Sequence, residues 1–118
     1  METNRITAYT KWEDMAVYYS NVVEGLPKVA KFTIGESLLN SLLEEGSCLQ
    51  LASVCKGKQK LLALLDKADG SNARLVVGAR ILCRRKLIDE HKYGILAQFL
   101  TETGKLIGAF IKKALGAV

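Results

Sequence analysis

The chain has a single histidine, His91, and three cysteines, none of them in a CxxC pair. A zinc site built from closely spaced Cys and His ligands therefore has no sequence to support it. An odd cysteine count is also a poor disulfide framework. On one helix, Cys48 and Cys55 would stand roughly 10 Å apart along the axis, beyond the reach of a disulfide. The cysteines are expected to be buried thiols. No run of about eighteen uncharged apolar residues occurs, as a membrane-crossing helix would need. The opening METNRITAYTKWED carries acids where a signal peptide is apolar. These absences point to a cytoplasmic protein.

Catalytic patterns are missing too. Gly25, Gly35 and Gly46 are scattered, and none belongs to a GxxxxGK or GxGxxG phosphate loop. His91 lies between Glu90 and Lys92, which suits a solvated residue in the first turn of a helix better than the partner of a nucleophilic Cys. Glu44 and Glu45 would project about 100° apart on a helix, so they do not share a proton and are expected to be surface charges. Neither enzymatic activity nor a metal or cofactor is expected.

Apolar residues recur at helical spacing through most of the chain, and alternation of period two is absent, so the fold class reads as all-α. An apolar content of 49% over 118 residues is enough for one domain spanning 1–118. Four helices are predicted, at about 8–24, 33–55, 58–85 and 89–115. The first puts Trp12, Met15, Ala16, Tyr19, Val22 and Val23 on one face and stops at Gly25 and Pro27. The second opens on the capping box Thr33-Ile34-Gly35-Glu36 and continues through Leu38, Leu42, Leu49 and Ala52. In the third, Leu61, Leu65, Ala68, Asn72, Leu75, Ala79 and Leu82 alternate at spacings of four and three. The turn-forming residues Asp69-Gly70-Ser71-Asn72 interrupt that pattern. The fourth takes Asp89 as N-cap and presents Tyr93, Leu96, Leu100, Thr103, Ile107 and Phe110 or Ile111. Short joints make the four an antiparallel bundle. Gly104 and Gly108, four apart on the last helix, are expected to allow close packing.

Charge is concentrated. Between Lys56 and Lys86 there are nine basic side chains and two acids, Asp66 and Asp69, whereas residues 1–55 carry four basic and seven acidic groups. On an ideal helix Lys60, Lys67, Arg74 and Arg85 fall within roughly 40° of one another, roughly 110° from the centre of the apolar seam. They form a basic stripe outside the core. Such a stripe is either a solvated helix face or a footprint for something anionic, of which nucleic acid is the commonest.

Three segments carry a family resemblance. Leu26-Pro27-Lys28-Val29-Ala30-Lys31-Phe32-Thr33-Ile34-Gly35, Leu87-Ile88-Asp89-Glu90-His91-Lys92-Tyr93, and Gly104-Lys105-Leu106-Ile107-Gly108-Ala109-Phe110-Ile111-Lys112 look like segments of the accessory variability determinant (Avd) proteins of diversity-generating retroelements, in the same order and at similar spacing. The chain resembles them over about residues 11–113, and resembles the related four-helix proteins encoded in 23S ribosomal RNA intervening sequences. Pro27, Lys28, Phe32, Thr33 and Gly35 match the family's helix-joint motif, Arg80 a basic position on the third helix, and Gly104 and Gly108 the late glycines. Phe110, Ala109 and Val76 depart from the Trp, Gly and Arg common at their positions in the family. The resemblance implies a four-helix protomer in a homopentameric barrel. It also implies a third helix continuous through Gly70, and a partnership with a reverse transcriptase and its template RNA in mutagenic cDNA synthesis, without catalysis of its own.

Together these readings give an expected interface of Lys60, Lys67, Arg74, Arg80, Arg84 and Arg85 for RNA or DNA and for the reverse transcriptase. Two alternatives stand beside it. One is a protein of a 23S ribosomal RNA intervening sequence, and the other a scaffold whose basic patch docks an acidic protein surface and never touches nucleic acid.

Overall fold

The computed structural model describes residues 2–116, with side chains from 7 to 116, so the ends of the expected 1–118 domain lie outside it. The elements are α1 (Glu2–Glu24), α2 (Lys28–Ala30), a π-helical turn (Lys31–Gly35), α3 (Glu36–Val54), α4 (Lys58–Arg84) and α5 (Glu90–Ala114). There is no strand among the described residues. Ala30, Lys31, Gly35 and Glu36 all keep right-handed helical angles, so α2, the turn and α3 form one rod. The molecule is thus a four-helix bundle about 44 Å long. Joints of a few residues make successive rods antiparallel. α1 and α4 each pack against both α3 and α5 and face each other diagonally. Across that diagonal the Tyr19 hydroxyl donates to the Leu75 carbonyl at 2.9 Å. Among the described residues, no helix is long and apolar enough to cross a membrane.

The expected capping box does not form, because the second rod begins five residues before Glu36's partner Thr33 would start it. Pro27 (φ −56°, ψ 151°) turns the chain into the helix, and its carbonyl accepts the Lys31 N–H at 2.8 Å. Thr33 therefore sits inside the rod. Its hydroxyl donates back to the carbonyl of Val29 at 2.7 Å, the local bond that a mid-helix Thr favours. A Cβ on Gly35 would come within 2.9 Å of Val23 and 3.2 Å of the Ala30 carbonyl, so only glycine lets the π turn lie this close to α1.

α4 runs unbroken through Gly70. The reason lies in where its turn-forming residues direct their side chains. Ser71 donates to Glu44 Oε1 at 2.6 Å and Asn72 donates to the Leu100 carbonyl at 3.2 Å, so both bond neighbouring helices instead of competing for their own backbone. Gly70 points into open space. Every seam residue from Leu61 to Leu82 is buried, and α5 buries Leu96, Leu100, Thr103, Ile107 and Phe110. The Asp89 carboxylate caps α5, accepting the Lys92 N–H at 2.8 Å.

The core consists of two apolar clusters. One gathers Met15, Tyr19, Leu38, Leu42, Leu75, Leu82, Leu96 and Leu100, and the other Cys48, Leu49, Leu61, Leu65, Ile107 and Phe110. Half-buried Trp12 touches both, its indole N–H donating to the Leu42 carbonyl at 3.2 Å and its ring lying over Gly46, where a Cβ would overlap it. Between the clusters along the chain fall Glu45, Asn72 and Thr103, all buried. Glu45 corrects the expectation of a surface charge. It is wholly inaccessible, and neither carboxyl oxygen has a hydrogen-bond partner. Glu44 is half-buried, engaged by Ser71 and by Lys67.

Burial, reinforced by the charge of Asp69, raises the Glu45 carboxyl from its ordinary 4.5 to about 8. Between those values the unfolded chain releases a proton that the folded chain keeps. Stability therefore falls as pH rises across the window, by roughly 3–5 kcal/mol in total, and levels off above it. Glu45→Gln mimics the protonated form. Urea unfolding should show the stability gap between variant and wild type widening from pH 5 to pH 8 and then holding constant. A gap independent of pH would contradict the buried acid.

Candidate nucleic-acid interface

All six cations expected at the interface lie on or at the end of α4, and all are exposed. Lys60 and Arg85 are 25 positions apart, which places them roughly 37 Å from each other along the helix. The stripe is therefore a line along the bundle rather than a compact patch, and its members differ. Lys60 borders a depression at the α3–α4 joint with Leu51, Val54 and Leu64. Lys67 is held at 3.8 Å by Glu44 Oε2, an exposed pair that partly neutralises it.

The C-terminal half of α4 is different. No acid occurs between Asp69 and Asp89, while Arg74, Arg80, Arg84, Arg85 and Lys86 follow in that interval. None of the five forms an ion pair among the described residues. Val77 and Ile81, 57% and 40% exposed, stand between them as an apolar ridge. On one side Arg74 borders a groove of about 360 Å³ with Ile34, Leu38 and Gly78, where a Cβ on Gly78 would overlap Leu38. On the other, Arg80, Arg84 and Arg85 border a depression of about 470 Å³. The six residues are thus divided: four arginines meet around one ridge, and the two lysines stand apart from it.

Three of these cations sit where the helix dipole favours positive charge. Arg84 is in the last turn of α4, and Arg85 and Lys86 follow it, beside carbonyls that carry the negative end of the helix dipole. The joint is closed by a Schellman arrangement. Lys86 N–H donates to the Cys83 carbonyl and Leu87 N–H to the Leu82 carbonyl, both at 2.9 Å. That motif needs a left-handed residue, and Lys86 occupies it with φ 62°. Glycine is the usual occupant, because a side chain there costs about 1–2 kcal/mol. A cation thus occupies a strained position beside two arginines.

Sequence reasoning missed two features. Lys86 was not among the expected contacts, although a Gly-free joint before Asp89 signals a non-glycine residue in the left-handed position. Phe32 is the other. Of the chain's eight aromatic side chains it alone is exposed, at 60%, with Lys31 Nζ 5.9 Å from its ring centre. The late glycines also diverge. Gly104 allows Asn72 Nδ2 to approach to 3.1 Å of where a Cβ would stand, whereas a Cβ on Gly108 would meet no atom of the described residues within 4 Å.

Fold and surface together define an all-helical four-helix bundle with an arginine-rich, apolar-centred ridge along one helix. No protein-family model and no curated protein matches the chain. Its fold is similar to that of a protein of unknown function from the S23 ribosomal protein family of Bacteroides thetaiotaomicron. The two superpose with a TM-score of 0.85 over 92% of this chain and 98% of that one, at 20% sequence identity.

Replacing Lys86 by Gly should raise unfolding stability by about 1 kcal/mol, whereas Lys86→Ala should give no such gain because it keeps the Cβ. Urea midpoints measure both. Equal gains from the two variants would show that the left-handed backbone is not the source.

Proposed function

We propose that this protein is a non-catalytic nucleic-acid-binding subunit, of the kind that accompanies the reverse transcriptase of a diversity-generating retroelement. The observation that carries this reading is the acid-free run from Arg74 to Lys86, whose five cations have no ion-pair partner among the described residues. Cations so placed are available to phosphates, and phosphate contacts give affinity with little dependence on sequence. The resemblance of the joint and late segments to Avd proteins supports the particular role: binding the enzyme and its template RNA, or DNA, to promote mutagenic cDNA synthesis. In that role the chain acts as a homopentamer, which repeats the ridge around an axis and multiplies weak phosphate contacts. Val77 and Ile81 on the ridge suit a surface shared between nucleic acid and a protein partner.

The name of the structural neighbour's family, S23 ribosomal protein, favours a second reading, a protein of a 23S ribosomal RNA intervening sequence. The two readings separate by genomic setting. A reverse-transcriptase frame with a near-identical repeat pair beside the gene belongs to the first, and flanking 23S ribosomal RNA to the second.

Phosphate binding has a direct test. Affinity for a labelled oligonucleotide should fall with salt, each lost contact lowering the log–log slope by about 0.9 for duplex DNA or 0.7 for a single strand. Arg74→Ala, Arg84→Ala and Arg85→Ala combined should lower the slope by about 2–3 for each protomer engaged. An unchanged slope would remove the ridge from the interface. If a purified acidic partner binds while no oligonucleotide does, the protein-docking alternative takes its place.

A further inference from the structure

Phe32 breaks the pattern that every other aromatic ring in the chain follows. Trp12, Tyr9, Tyr18, Tyr93 and Phe99 are half-buried, and Tyr19 and Phe110 are buried. Lys31–Gly35 form a five-residue π turn that ends on buried Gly35, and Phe32, two positions past buried Ala30, faces outward in it beside Thr33. π turns of this kind are frequent at functional sites. The Phe32 ring is 60% exposed, and Val29, three residues before it, is 79% exposed.

The setting is cationic. Lys31 lies over the ring at a distance within cation–π range, and Lys28 opens the same rod. Leu26 and Ala30 share one apolar cluster with Leu82, Ile88 and Leu96, so the π turn is at the end of the bundle that also carries the α4–α5 joint. Segments 24–36 and 80–92 together hold seven cations, Lys28, Lys31, Arg80, Arg84, Arg85, Lys86 and Lys92, against four acids, Glu24, Glu36, Asp89 and Glu90. The Asp89 carboxylate is already engaged as the α5 cap.

We propose that Phe32 is a stacking platform for a base of single-stranded nucleic acid, with Lys28, Lys31 and the Arg84–Lys86 run at the same end of the bundle tracking the flanking phosphates. This rests on the phosphate-binding reading above and adds a strand preference to it. An exposed ring offers its face to an unstacked base, whereas the bases of a duplex are stacked on each other and offer only edges and phosphates. The charge around the ring favours a polyanion over a neutral apolar partner. The adjacent Lys31 ammonium brings a phosphate contact next to the stacked base.

The test compares wild type, Phe32→Ala and Phe32→Tyr, using fluorescence anisotropy with one labelled sequence as a single strand and as a duplex. Phe32→Ala should weaken single-strand binding roughly 5- to 150-fold, the range of one lost base–aromatic stack. Duplex binding and the salt slope should stay as in wild type, and Phe32→Tyr should bind like wild type. Equal loss on both forms, or no loss on the single strand, overturns the stacking role while salt-sensitive wild-type binding leaves the phosphate reading intact. Wild type that binds neither form overturns both. Because Phe32 is exposed, thermal unfolding should be unchanged. Sedimentation velocity completes the set: dissociation of an oligomer by Phe32→Ala would assign the ring to a protein contact and overturn the proposal.

Discussion

The outer surface of this bundle depends on α4 remaining helical across Asp69–Asn72. A break there would free the Arg74–Lys86 half from the register that Leu61, Leu65 and Ala68 set, and the ridge would lose its position relative to α3. Local chemistry works against continuity, since Gly70 alone costs about 1 kcal/mol relative to Ala. Burial works for it: Leu75 and Leu82 beyond the weak point are fully inaccessible, and each contributes about 1.5–3 kcal/mol. The balance favours the helix by a wide margin. The Ser71 and Asn72 bonds to α3 and α5 then convert two turn-formers into cross-links.

Those cross-links lie at the level where the core is polar. Glu45, Asn72 and Thr103 interrupt the apolar seams of three helices at matching heights, and several of their oxygens lack partners. Such a layer costs stability, because a buried oxygen without a hydrogen bond has lost water and gained nothing in exchange. It also constrains alignment. Sliding one helix by a turn would set Leu side chains against the ring of Trp12 over Gly46 and separate Ser71 from Glu44 and Asn72 from Leu100. The register thus rests on a few specific contacts as well as on apolar burial.

The seams of α4 and α5 were legible almost residue for residue, because burial there follows strict helical spacing and nothing local opposes it except the residues at 69–72. The Asp89 cap was legible for the same reason: a cap is a property of a short, contiguous pattern. Glu45 was misread. Adjacent carboxylates read as solvent-facing, although position 45 fills the gap in the four-three seam Leu38, Leu42, Leu49 and Ala52 and so marked Glu45 as the one that turns inward. Thr33 and Glu36 form a valid capping pattern, yet Pro27 starts the rod earlier and makes the pattern redundant. Among the site residues, composition located the basic helix, but it could not distinguish Lys67, tied to Glu44 across a helix pair, from the arginines beyond it. Exposure of Phe32 was not legible because the second helix was expected to begin at Thr33; with Phe32 placed in the joint, no helical face said which way its ring would point.

Apart from the polar layer in the core, the places where this chain departs from local rules are not spread evenly. The left-handed Lys86, the π turn, the exposed Phe32 and the run of unpaired cations all lie toward one end of the bundle. The opposite end has cations too, Lys56, Lys58 and Lys60, but they sit at an ordinary joint with helical and extended backbone. A fold selected only for stability would place glycine at position 86 and a polar residue at position 32, because neither change disturbs a buried contact. Local costs that persist where the core does not require them mark the surface under a different demand. Here that surface combines positive charge, an apolar ridge and one open aromatic face. Phosphates would engage the first, a protein partner the second and an unstacked base the third. A single strand running from the ridge toward the π turn would meet the charge and the aromatic face in turn.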